Sequence, residues 1–113
     1  MEYLATHLQN LAKTSPQEII NIINKNNSDI KTITEAIEIL GEEKVEEALI
    51  LPVLKRLLRH IHAQVRESTI LAISSYYQKE LPKEILDRIK IMVKADPSPI
   101  VRNCCEDVLE NFS

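Results

Sequence analysis

The sequence has one glycine, Gly41, in 113 residues. All-β folds need many tight turns, and tight turns lean on glycine, so this scarcity argues for helices joined by short connections. No apolar run approaches the roughly 18 residues that a membrane-spanning helix requires. The start, Met1-Glu2-Tyr3, lacks the basic and apolar stretches of a secretion signal, so the cytoplasm is the expected compartment. The only cysteines, Cys104 and Cys105, are neighbours and cannot staple distant segments, which agrees with a reducing compartment. Catalytic signatures are missing too: there is no Gly-x-Ser-x-Gly elbow, no P-loop and no glycine-rich phosphate cradle. Short turns leave no long loop to build a catalytic pocket. The expectation is a chain that catalyses nothing and carries no cofactor.

What is present is ordinary in amount and uneven in distribution. Apolar residues make up 44% and charged ones 27%, as in a globular chain with one core. The net charge of −3 hides an asymmetry. Residues 1–50 hold four Lys/Arg against nine Asp/Glu, and residues 51–113 hold ten against eight. The first part is acidic and the second mildly basic.

Isoleucine is abundant and would suit strands, so periodicity has to decide. It reads as seven helices. The first spans about 2–13, with Leu4, Leu8 and Leu11 in a narrow stripe. Ser15-Pro16-Gln17-Glu18 is a capping box with proline at the first helical position, opening a helix over about 16–25. After an Asn26-Asn27-Ser28 turn, with Ser28 as N-cap, the third helix runs to Leu40 and stops at Gly41. Glu42 and Glu43 open the fourth, which runs to about Arg59 and should kink or break at Pro52. The others span about 63–78, about 82–95 from Pro82, and from Pro99 to Phe112 with Ser98 as cap. No linker or second domain appears, so residues 1–113 read as one domain.

The chain also resembles itself. At a shift of 36, Val65, Arg66, Thr69, Ala72, Ile73 and Tyr76 fall on Val101, Arg102, Cys105, Val108, Leu109 and Phe112, one helical face in both segments. One shift earlier, Ile33, Ala36, Ile37 and Leu40 continue the face. At a shift of 35, Ile50, Leu51, Leu54, Leu57 and Leu58 fall on Ile85, Leu86, Ile89, Met92 and Val93. The unit is a helix pair of about 36 residues, present three times behind an extra helix. A single pair cannot bury both apolar faces, but stacked pairs can. A four- or five-helix bundle shares the helical period, but does not require two equally spaced Val-Arg pairs.

Asp96-Pro97-Ser98-Pro99-Ile100-Val101-Arg102 resembles the inter-helix turn of HEAT repeats, where an Asp in the turn precedes by six residues an Arg early in the second helix. The previous unit keeps Val65-Arg66 without the Asp, and the first keeps neither. The resemblance covers residues 42–113 well and 16–40 weakly. It implies an all-α, right-handed α-α superhelix of three hairpins behind an N-terminal capping helix, serving as a scaffold, adaptor or regulator. It also implies a polar ladder between repeats, built here from Arg66, Asp96 and Arg102. At the end of the stack Ile70, Leu71 and Ser74 become Glu106, Asp107 and Glu110, and Val53 becomes Arg88, the polar outer face of a terminal repeat. The chain is therefore expected to be a complete monomer.

The candidate binding residues are basic. Lys55, Arg56, Arg59, His60, His62 and Arg66 lie within twelve residues with no acid among them. Helix six adds Arg88, Lys90 and Lys94, which would continue the same edge if the repeats stack in register. This edge is either a solvated face, with Arg66 spent on the ladder, or a surface for an anionic partner. An acidic protein segment is the leading partner. Nucleic acid is the second, weakened by the negative net charge and by few aromatics for stacking. Tyr77, beside core-facing Tyr76, is a further interface anchor. His60-x-His62 with Cys104 and Cys105 does not match a standard zinc pattern, so no metal is expected and the cysteines read as small packed residues.

Overall fold

An amphipathic helix must cover its apolar stripe, and several in one short chain can do so by packing on one another. The computed structural model describes residues 5–25 and 29–112. Among them the chain forms α1 (Ala5–Thr14), α2 (Pro16–Lys25), α3 (Ile30–Glu42), α4 (Glu47–Leu57), α5 (Ala63–Tyr76), α6 (Lys83–Ala95) and α7 (Pro99–Phe112), with no strand. The fold is all-α. Leu4 and the Asn26-Asn27-Ser28 turn lie outside the described residues.

The buried positions recur with the sequence period. Ile33, Ala36, Ile37 and Leu40 of α3, Val65, Thr69, Ala72 and Ile73 of α5, and Val101, Cys105 and Val108 of α7 are all buried. Ile50, Leu54, Leu57 and Leu58 at α4 and Ile85, Ile89 and Met92 of α6 bury the opposing stripes. The one polar group in the α5 stripe, the Thr69 hydroxyl, donates to the Val65 carbonyl at 2.7 Å, so its burial leaves no unmade bond. Consecutive helices pack in pairs, α2 with α3, α4 with α5 and α6 with α7. The pairs meet through α5, which lies against α3 on one side and α7 on the other, while α1 covers α2 and α3.

Caps mark two of the helix starts. Ser98 Oγ accepts the Val101 N–H at 3.3 Å ahead of α7. Asp29 caps α3, accepting the Thr32 N–H at 3.2 Å and the Thr32 hydroxyl at 2.9 Å. These two bonds hold the Asp29 carboxyl below its ordinary value.

The α3–α4 connection corrects the sequence reading. Gly41 does not end α3 but sits buried inside it, and it has no positive φ. The left-handed residue is Lys44, with φ of 54°. Around it Val45 N–H reaches the Leu40 carbonyl and Lys44 N–H the Gly41 carbonyl, each at 3.4 Å, the crossed bonds of a Schellman end. Left-handed backbone is costly for a residue with a Cβ. Lys44 gains in return by donating its ammonium to the carbonyls of Ser75 and Tyr76, at the negative end of α5. Gly41 instead serves close packing: a Cβ there would lie 3.0 Å from the Ala72 carbonyl oxygen and 3.2 Å from its Cα. Glu42 and Glu43 finish α3 rather than open α4, whose first-turn acid is Glu47.

Three further expectations change. Pro52 does not break α4, which runs through it to Leu57 and stops short of Arg59. Both Pro52 and Ala48, whose carbonyl loses its usual donor, lie on the exposed side, where water can replace that bond. Pro82 is the residue before α6 and not its first. Leu71, read as facing a neighbouring repeat, is 47% exposed. No helix among the described residues is long and apolar enough to cross a membrane.

Gly41→Ala tests the α3–α5 approach. Alanine improves helix propensity by about 1 kcal/mol, but overpacking costs about 1–3 kcal/mol when the obstacle is backbone. Contact with Ala72 should win. Urea unfolding should show a net loss of about 1 kcal/mol, and a stabilised variant would mean that the two helices part freely.

Candidate functional site

The turn before α5 and the turn before α7 are joined by one side chain. Arg66 Nε donates to Asp96 Oδ2 at 2.8 Å and its Nη2 to Oδ1 at 3.0 Å. Its Nη1 donates to the carbonyls of His60 at 2.8 Å and Ile61 at 3.1 Å. Asp96 also accepts the Ser98 N–H at 2.9 Å, and its own carbonyl accepts from Arg102 Nη1 at 2.6 Å. Arg66 and Asp96 are buried and Arg102 half-buried, so the three ladder residues meet in one cluster. Burial pushes the Asp96 carboxyl up, but the bonds from Arg66 and Ser98 and the charges of Arg66 and Arg102 outweigh it, and the net shift is downward.

The basic edge is less uniform than its sequence. Lys55 pairs with Glu84 of α6 at 2.6 Å, and Arg56 Nη2 donates to Asn24 Oδ1 of α2 at 2.5 Å. Both are exposed contacts of the kind that contributes little to stability and can be exchanged. His60 and His62 stack with ring centroids 5.4 Å apart, and the His62 N–H donates to His60 Nδ1 at 3.1 Å. Lys90 and Lys94 are exposed, and neither lines a cavity beside α4. Arg59 stands apart: it lies on the groove between α4 and α6, opposite Arg88.

The groove lies between α4 and α6, whose main packing partners are α5 and α7. It holds two cavities that share Arg59 and Arg88. One, of about 190 Å³, is lined also by Lys55, Leu58, Glu84 and Ile85. The other, of about 330 Å³, reaches Ile61, Arg66, Ile91, Met92, Ala95 and Asp96. The Nε of Arg88 is buried with no hydrogen-bond partner. Burial, then the neighbouring Arg59, push Arg88 below its ordinary value, with Arg66 adding to the effect and Asp96 opposing it. A guanidinium still keeps its charge at neutral pH. Among the described residues, the only carboxylate lining the larger cavity, Asp96, is already held by Arg66. Beside these cations Ile61 is 85% exposed and Ile91 is 55% exposed.

Sequence reasoning counted Arg88 both to the edge and to the polar end of the stack, and assigned nothing to Ile61 or Ile91. The available signal was the match of Lys55 and Arg59 on one helix with Glu84 and Arg88 on another, each pair four residues apart. Tyr77 is not an exposed anchor. It is half-buried, packs edge-on to Tyr76 at 5.0 Å, and donates its hydroxyl to Glu47 at 2.7 Å. Burial and that carboxylate push the Tyr77 phenol up. Cys105 is buried and its thiol is pushed up to about 11, chiefly by burial. Such a thiol makes a poor nucleophile at neutral pH. Among the described residues no group of three or more His, Cys, Asp or Glu side chains could hold a metal ion. No protein-family model, curated protein or solved structure matches the chain.

The Arg66–Asp96 pair makes a pH-dependent prediction. Asp96 has a folded-state pKa below its ordinary 3.8, so its ionised form contributes stability above about pH 4. That contribution is lost as pH falls through the lowered folded value. Asp96→Asn should be less stable than the parent at pH 7, and should lose less stability between about pH 5 and pH 3. Arg66→Ala strands a buried carboxylate and should cost about 3–5 kcal/mol at neutral pH. Denaturant titrations at several pH values would detect parallel pH profiles, the outcome that excludes Asp96 as the titrating group.

Proposed function

We propose that the chain is a HEAT-like helical-repeat interaction module that binds an acidic segment of a partner protein along the α4–α6 groove and performs no catalysis. The single observation that carries this reading is the pair Arg59 and Arg88, two guanidiniums on one groove without a carboxylate of their own. Buried or like-charged cations are tolerated where a partner completes them. Arginine beside exposed isoleucine is also the composition of an interface centre. The HEAT-like part rests on the recurring burial pattern and on Arg66 and Asp96 joining equivalent turns of successive helix pairs.

Nucleic acid is the second reading, because two arginines with Lys55 nearby can also meet phosphates. The net charge of −3 and the absence of Phe, Tyr or Trp among the described residues lining the groove count against it.

The two readings separate in a direct titration. The probes are a fluorescein-labelled 16-residue peptide rich in Glu and Leu, and labelled 20-mers of duplex DNA and single-stranded RNA. Each is measured by anisotropy at 50 and 200 mM salt. The peptide should bind more tightly than either nucleic acid, and Arg59→Glu should weaken it at least tenfold with the melting temperature nearly unchanged. A surface charge contributes about 0.5–1 kcal/mol and reversal more, so tenfold is within reach. Tighter binding of nucleic acid, lost in Arg59→Glu, would transfer the groove to the second reading.

A further inference from the structure

The groove has a second character besides charge. Four large apolar side chains of the described residues are strongly exposed: Ile61, Leu71, Ile91 and Ile100. Two of them, Ile61 and Ile91, line the cavity that also holds Arg59 and Arg88. Scattered exposed isoleucines need no explanation, but two flanking the same arginine pair do. The positive charge here is also in excess. Arg59, Arg66 and Arg88 face the cavity against one carboxylate, Asp96, which Arg66 already engages.

The floor of the groove is one face of α6. Arg88, Ile91, Met92 and Ala95 line it, at i, i+3, i+4 and i+7. Arg88 and Ile91 are therefore about 4.5 Å apart along the helix axis, and the whole face spans about 10 Å. Ala95, small and exposed at the far end, leaves room for another backbone to approach. A helix laid along α6 places residues three or four apart about 4.5–6 Å along its own axis, matching this step. An extended strand presents same-face side chains every second residue, about 6.7 Å apart, and runs out of step with it. The cavity of about 330 Å³ is at the low end for ligand sites, room for a few side chains.

We propose that the α4–α6 groove receives an amphipathic helix of a partner protein in which an acidic side chain and a large aliphatic one stand three or four residues apart, the acid between Arg59 and Arg88 and the aliphatic group on Ile61 and Ile91. This rests on the acidic-segment reading and adds the pattern that the segment carries. The arginines supply orientation and the isoleucines supply the area that leaves water on binding. A phosphate backbone has nothing to lay on two isoleucines, so the same feature argues against a nucleic acid in this groove.

The test is selection from a phage-displayed library of random 16-residue peptides on the full chain, followed by titration of the synthesised consensus peptide. The expected consensus carries Asp or Glu with Leu, Ile or Met three or four positions away, and the peptide gains helical circular dichroism on binding. Arg59→Glu and Ile91→Ser should each raise the Kd at least tenfold. Ile91 is exposed, so its replacement leaves the melting temperature unchanged and separates docking from folding. A consensus of acids without that spacing, with Ile91→Ser neutral, overturns the helical pattern while leaving the acidic reading in force. An acid-aliphatic pair two residues apart overturns it in favour of an extended segment. No enrichment, or enrichment of basic peptides, removes both the pattern and the acidic reading, as does binding of the 20-mer nucleic acids alone.

Discussion

Arg66 enters the interior carrying a charge, and a buried guanidinium is tolerated only when its charge is matched and its N–H groups are satisfied. It does both at once. The Asp96 carboxylate takes two bonds in the side-by-side geometry that arginine and carboxylate share, and the His60 and Ile61 carbonyls take two more. The turn entering α5 is thereby held to the turn entering α7, across the same step that brings α5 against α7. Asp96 in turn receives the Ser98 N–H, and Ser98 caps α7. A loss at Arg66 would reach a turn, a cap and a helix pair together.

The same arrangement sets the electrostatics of the groove. Asp96 is bound directly by Arg66, so it offsets the charge of Arg88 only in part. Lys55 and Glu84 pair with each other in the smaller cavity, while Arg59 and Arg88 line both cavities. Ile61 and Ile91 lie in the larger one. Charge alone steers encounters and fades with salt, whereas apolar area beside it gives a contact that persists at short range.

The opposite end of α5 is closed by different means. There the α3–α4 connection folds onto the last turn of α5: Lys44 meets its carbonyls, the Tyr76 hydroxyl donates to the Val45 carbonyl, and the Tyr77 hydroxyl donates to Glu47. Gly41 lets α3 lie backbone-close to Ala72, so this end is tight. Tyr76 and Tyr77, which by pattern could have been core and interface, are both engaged within the chain.

The sequence by itself determined the helices, most of their ends and the residues they bury. Those follow from a 3.6-residue period and from caps such as Ser98, which act within a few residues of chain. It also singled out Arg66 and Arg102 through a repeated spacing, and Asp96 through the resemblance of its turn to that of a known repeat. Tertiary structure alone decided the rest. Gly41 reads as a helix end because glycine usually serves there, and only the approach of Ala72, far along the chain, gives it another use. Lys55 and Arg56 look as available as Arg59 until Glu84 and Asn24 are seen beside them, and Lys90 and Lys94 belong to the edge only if a helix face is ignored. Arg88 and Ile91 acquire meaning from the gap between α4 and α6. Local pattern fixes which way a side chain points on its own helix, but pairing, close approach and an open groove depend on how two helices cross, and that is set by all their contacts together.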